Sequence, residues 1–151
     1  MYKYDKMFMD FADRTAKESN CVKYSIGCVI VKDNRILSHG YNGTVSGFIN
    51  CSDKFKNHDM TNKENRLIHR EWSAAFEVHA EMNGLMYAAK SGLSVDGATM
   101  YVTHRPCNGC MKHIIPAGIK RIVYKHDYDD PNPHDDIDKL LTFIKLEKFK
   151  E

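Results

Sequence analysis

The chain has 151 residues, 42% of them hydrophobic and 28% charged. That suits one ordinary domain, residues 1–151, with a real core, and excludes a disordered chain. Its 22 basic and 20 acidic residues leave a formal net charge of +2, too balanced for a broad nucleic-acid footprint but compatible with a few local cations for a small anionic substrate.

In chain order, Tyr4, Met7, Phe8, Phe11 and Ala12 follow helical spacing and predict a helix over roughly residues 3–18. The run Ser25 to Val31 is β-rich, Asp33-Asn34 is a turn signal, and a second strand follows, so a hairpin is expected. From Tyr41 to about Glu71 the chain is polar, with Gly43 and Gly47 and few apolar anchors. It reads as a long loop, a kind that is usually functional. Ala80, Leu85, Met86 and Ala89 mark the next helix, stopped by Gly92. Ala98 to Thr103 reads as a buried strand. Pro106 suits the first turn of a short helix through Cys107 and Cys110. Lys120 to Lys125 is another strand, and after an Asp- and Pro-rich stretch come a last helix and a closing strand at 145–149. This order predicts an α/β fold with one mixed sheet and helices on both faces.

No run reaches the roughly 20 apolar residues that span a bilayer. The opening segment, mixed in charge, lacks the apolar core of a secretory signal, so a cytoplasmic setting with no membrane partner is expected. The five cysteines, Cys21, Cys28, Cys51, Cys107 and Cys110, are odd in number. In such a compartment they suggest metal binding or burial before disulfides.

Cys107 and Cys110 are three apart at a helix start, so they share a face, and the helix N-terminus should help both thiols ionise. With the imidazole of His79 they make a three-ligand zinc site whose fourth position stays open for water. Glu81 lies two residues after His79. The two converge only if both sit at a helix end, which places the site between the N-termini of two helices. Glu81 is then the acid/base, carrying a proton from the attacking water to the ring nitrogen and the leaving amine. The His-x-Glu and Pro-Cys-x-x-Cys pair, here His79-Ala80-Glu81 and Pro106 to Cys110, is the signature of zinc deaminases. A Cys-x-x-Cys alone would also fit a structural zinc half-site or a redox pair. Neither explains His79-Ala80-Glu81.

With those motifs the chain resembles the deoxycytidylate deaminases, a branch of the cytidine deaminase superfamily that includes phage enzymes. The resemblance also rests on Gly40-Tyr41-Asn42-Gly43, Asn50-Cys51, His69-Arg70-Glu71-Trp72, Glu77-Val78 and Gly97 to Thr103. It implies the three-layer cytidine-deaminase-like fold, with a central sheet of about five strands. It implies conversion of dCMP to dUMP for thymidylate synthesis. It further implies a homohexamer activated by dCTP and inhibited by dTTP, with Mg2+ accompanying the triphosphate, and a setting that could be a virus-infected host's cytoplasm.

Residue by residue, the resemblance assigns substrate contacts to Asn42, Ala80, Tyr128 and Lys23, and effector contacts to Tyr41, Gly43 and Thr44. The other readings are an ordinary half-buried tyrosine for Tyr128 and a solvated lysine for Lys23. Some phage members hold a second, structural zinc, whose ligands correspond to Cys21, Cys51, His69 and Glu77; otherwise these are two buried thiols and a polar pair. Cys28 is expected in the core. Departures are His104-Arg105, where many relatives carry small or apolar residues, and a loop between Gly43 and Glu71 shorter than in some phage relatives. Competing functions are deamination of another base, such as adenosine in tRNA, and a non-catalytic zinc-stabilised binding protein. The first would want a basic surface, which the acidic 127–138 stretch opposes.

Overall fold

The computed structural model describes residues 1–151. Helix α1, Asp5–Ala16, leads into β1, Gly27–Lys32, and β2, Arg35–Tyr41. The two strands pair antiparallel, and the turn between them puts Asp33 and Asn34 at φ of 50° and 57°. Two successive left-handed residues match the twist of a tight hairpin, and Asp and Asn tolerate that conformation better than most. Then follow α2, Cys51–Lys54; α3, Lys63–Phe76; α4, Ala80–Lys90; β3, Thr99–His104; α5, Asn108–Ile114; β4, Arg121–His126; α6, Ile137–Leu141; and β5, Lys145–Lys148.

The five strands form one mixed sheet in the order β2-β1-β3-β4-β5, antiparallel from β2 to β3 and parallel from β3 to β5. The alternation of side chains divides the core in two. Val29, Val31, Tyr101 and Val123 face α1 and its Phe8, Met9 and Ala12. Cys28, Ile30, Met100, Val102 and Ile122 face α4 and α5, with Leu85, Ala88, Met111 and Ile114. Helices therefore cover both faces, and Cys28 is core as expected.

Close packing of α4 on β2 depends on Gly40. A Cβ there would lie 2.4 Å from the Ala80 carbonyl oxygen and 2.6 Å from the Gly84 nitrogen. This contact sets the height of the α4 N-terminus above the sheet.

Several expectations are corrected. The stretch from Tyr41 to Glu71 is not one long loop: it holds α2 and most of α3. The helix expected from Ala80 to Gly92 is α4, and α3 ahead of it, which was not expected, is separated from it by the extended residues Glu77 and His79. On α4 the sheet side carries Ala80, Glu81, Gly84, Leu85 and Ala88, while Met86 and Ala89 are exposed. On α1, Met7 and Phe11 point outward and Met9 and Asp5 are buried instead. Pro106 precedes the N-cap Cys107 and so lies outside α5, where its fixed φ shapes the approach to the helix.

Candidate active site

His79 is the N-cap of α4 and Cys107 the N-cap of α5. Neither caps its helix with a side chain, so the imidazole and the thiol point away from the first turn and toward each other. His79 Nδ1 lies 3.2 Å from Cys110 Sγ and 3.5 Å from Cys107 Sγ. One donor atom from each of the three residues falls within 4.8 Å of the others. An imidazole and two thiols converging on one point suit zinc in both type and number. Because Cys107 cannot cap α5, Asp130 does so from a distant loop: its Oδ2 accepts from the Asn108 backbone N–H at 2.6 Å, and Asn108 Nδ2 donates to the Asn132 carbonyl at 3.0 Å.

The two thiols do not ionise alike. Hydrogen bonds from Cys110 and His79 hold the Cys107 thiol down to about 4, against the opposing effect of its burial. Cys110, which gives the hydrogen bond, is pushed up. A bound cation's charge would release that proton as well.

Glu81, on the first turn of α4, is 4% exposed. Burial pushes its carboxyl up to about 7, against the pull of its own backbone N–H and of His79. The carboxyl is within electrostatic reach of both His79 and Cys107.

A second group lies just upstream. Cys21, Cys51, His69 and Glu77 each bring one donor atom within 4.8 Å of the others. His69 Nε2 is 3.3 Å from Cys51 Sγ and 3.8 Å from Cys21 Sγ. His69 Nδ1 and Glu77 Oε1 are buried with no partner, while Glu77 Oε2 accepts from Ser73 Oγ at 2.7 Å. Phe55 packs edge-on against His69, with ring centroids 5.0 Å apart. Two thiols, an imidazole and a carboxylate make a four-donor set with no position left over, the composition of a closed structural zinc site.

Of the remaining positions, Tyr128 is within electrostatic reach of Cys107, and Lys23 of His69. Asn42 is 7% exposed; its Oδ1 accepts from the Ile26 N–H at 2.9 Å and its Nδ2 donates to the Tyr24 carbonyl at 2.8 Å. One N–H and one lone pair of the amide remain for a ligand. Ala80 is fully buried between His79 and Glu81. Tyr128 is half-buried and feels the charges of Cys107, Asp130 and Arg70. Lys23 is exposed, its ammonium 5.4 Å from the centre of the Tyr24 ring. The Tyr41 carbonyl accepts from Asn83 Nδ2, Gly43 forms a two-bond bridge with Val78, and Thr44 donates to the Ile49 carbonyl. Tyr24 and Asp130 carried no local signal: one is a lone tyrosine before a strand, the other one acid in an acidic run.

The profile of the family described as the cytidine and deoxycytidylate deaminase zinc-binding region matches residues 2–126. The chain belongs to this family. Among its relatives, the deoxycytidylate deaminase of Enterobacteria phage T4 is 38% identical over 152 residues, covering 83% of this chain and 79% of that one. The human deoxycytidylate deaminase is 35% identical over 125 residues, covering 82% of this chain and 65% of that one. Among solved structures, the dCMP deaminase of cyanophage S-TIM5 in complex with dCMP and dUMP superposes with a TM-score of 0.76 at 34% identity, covering 99% of both chains. The mixed five-stranded sheet with helices on both faces is thus the cytidine-deaminase-like fold. No helix is long and apolar enough to cross a membrane.

Proposed function

We propose that the chain hydrolyses dCMP to dUMP and ammonia at the His79, Cys107 and Cys110 group, with Glu81 as the catalytic acid/base. The observation that carries this reading is the buried Glu81 carboxyl beside three converging metal donors at the mouths of two helices. The phage relatives and the S-TIM5 complex support the substrate. Zinc held by the three side chains would supply an acidified water, with a pKa lowered toward roughly 7, at neutral pH.

Glu81 takes the proton of the attacking water and passes it to the pyrimidine ring nitrogen N3. As the oxygen bonds to C4, the C4–amine bond weakens. Glu81 then transfers the second water proton to the departing amine, which leaves as ammonia while the C4 carbonyl forms. A carboxyl with no side-chain partner can make both transfers without first breaking an ion pair. Asn42 and the Ala80 backbone hold the sugar and base, and Tyr128 and Lys23 lie toward the phosphate. Cys21, Cys51, His69 and Glu77 hold a second, structural zinc that ties the segment before β1 and α3 to residue 77, two residues ahead of His79.

The same reading includes dCTP activation and dTTP inhibition at Tyr41, Gly43 and Thr44, with Mg2+ on the triphosphate. It also includes assembly as a homohexamer and a role in supplying dUMP for thymidylate synthesis in the cytoplasm of an infected cell. The supports are the resemblance and the phage relatives. Steady-state deamination of dCMP by the zinc-loaded protein, with and without dCTP and dTTP, tests it, alongside zinc content per chain. Turnover raised by dCTP and lowered by dTTP, with two zinc ions per chain, is the expected outcome. Turnover insensitive to both nucleotides removes the regulation, and no turnover of dCMP removes the substrate.

A further inference from the structure

β3 and β4 run parallel and end together, with His104 opposite His126 in register. Both histidines lie on the α4 and α5 face of the sheet, since Val102 and Tyr124 two residues earlier pack against that side. Their ring centroids are 5.0 Å apart, and the Tyr24 ring meets His104 edge-on at 6.1 Å. The Arg105 N–H donates to the His126 carbonyl at 2.8 Å and fastens the two strand ends together. Three residues beyond His104 is Cys107, and Tyr24 is anchored by Asn42. The imidazole pair therefore stands at the strand ends, next to Tyr24 and three residues ahead of Cys107.

The hydrogen bond of His104 with Thr103 bears on which of its nitrogens carries the proton. The buried Thr103 hydroxyl oxygen accepts from the Gly27 N–H at 3.1 Å and lies 3.2 Å from His104 Nδ1. Its single proton is free to go to Nδ1, which makes Nδ1 an acceptor and leaves the hydrogen on Nε2. His104 Nε2 has no partner within the protein. Burial and the neighbouring His126 lower the pKa of the ring, and with Nδ1 accepting from Thr103 the N–H is on Nε2.

The surrounding charges favour an anion. Lys23, Arg70 and Arg105 have no carboxylate partner. Of the acids that follow β4, Asp127 pairs with Lys148 and Asp130 with the first turn of α5.

We infer that His104, braced by His126 and Tyr24, is a specificity-determining residue that donates from Nε2 to the 5′-phosphate of the nucleotide substrate. This rests on the dCMP reading above. It makes the chain prefer nucleotides over nucleosides.

The test compares kcat/KM for dCMP and for deoxycytidine in the wild-type protein, His104→Leu and His104→Gln, with dUMP binding followed by calorimetry. Losing one hydrogen bond to a charged oxygen predicts a rise of about tenfold or more in KM for dCMP and in Kd for dUMP in His104→Leu. The kcat for dCMP and the efficiency on deoxycytidine stay at the wild-type level, and His104→Gln, which keeps a donor, recovers part of the loss. If His104→Leu does not fold, His104→Phe keeps a ring without the donor and reads the same quantities. Equal losses on dCMP and deoxycytidine would put the ring against the base or sugar and overturn the assignment. No loss on either would reduce His104 to packing against His126 and Tyr24. A wild-type protein inactive on dCMP defeats the substrate reading instead, and the dUMP titration still reads the phosphate contact.

Discussion

Two buried carboxylates lie on opposite faces of the sheet, and their surroundings differ completely. Asp5, 1% exposed beneath α1, receives Arg121 Nη1 at 2.9 Å, Arg121 Nη2 at 2.7 Å, the Tyr101 hydroxyl at 2.7 Å and the Tyr2 N–H at 2.8 Å. Burial alone would raise its pKa, but these donors outweigh burial and bring it to about 2. Glu81, almost as buried beneath α4, receives only its own backbone N–H, and burial prevails, at about 7. Two acids of similar intrinsic strength are pushed in opposite directions by the number of donors around them. The satisfied one is a structural tie; the raised pKa of the other suits the proton transfer proposed for it.

The largest expected effect breaks the satisfied side. Asp5→Ala leaves Arg121 buried with Glu147 as its one remaining carboxylate partner and should cost about 3–5 kcal/mol of stability. Urea unfolding measures this, and a loss below about 1 kcal/mol would mean that the pair is no tie at all. On the other face, Glu81→Gln should leave the melting temperature and zinc content intact and lower kcat by roughly 10²-fold or more. Near-wild-type turnover would remove Glu81 from the mechanism.

A smaller effect reads Asp5 through pH. Its folded pKa of about 2 lies below the ordinary 3.8, so its contribution is fully present above pH 3.8 and is lost as pH falls toward 2. The shift corresponds to about 2 kcal/mol, and the difference in unfolding free energy between wild type and Asp5→Asn should shrink across that window. The smallest effect calibrates the rest. Lys125 and Asp13 also tie β4 to α1, at 2.7 Å, but both are about 30% exposed. Lys125→Ala should therefore cost no more than about 1 kcal/mol in the same unfolding assay, and a cost like that of Asp5→Ala would erase the distinction between buried and half-exposed pairs.

The residues His79, Glu81, Cys107 and Cys110 were legible in the sequence because short spacing ties each pair to one helix terminus. The hairpin was legible because Asp33-Asn34 is a local turn signal. Helix α3 was not, because periodicity looks for an apolar stripe and α3 buries His69 alone, with Trp72 and His69 packed on Phe55. Its fixed side is defined by the cysteine-histidine cluster, a long-range arrangement. On α1 and α4 apolar residues lie on more than one side, so hydropathy does not say which side meets the sheet. The Asp5–Arg121 pair was invisible for a related reason: charged residues are expected outside, and these two are far apart along the chain.

The pairing of β1 with β3 joins residues about half the chain apart, Cys28 opposite Val102 among them. His79 lies before β3, and Cys107 and Cys110 lie after it. While the chain is being synthesised, the β1–β2 hairpin can close early, since its partners are neighbours. The three donors meet only once β3 and the start of α5 have been made and β3 has docked on β1, because long-range strand pairing must first overcome the entropy of closing the intervening loop. The His79, Cys107 and Cys110 group is accordingly the later of the two to assemble, since Cys21, Cys51, His69 and Glu77 all precede it in the chain.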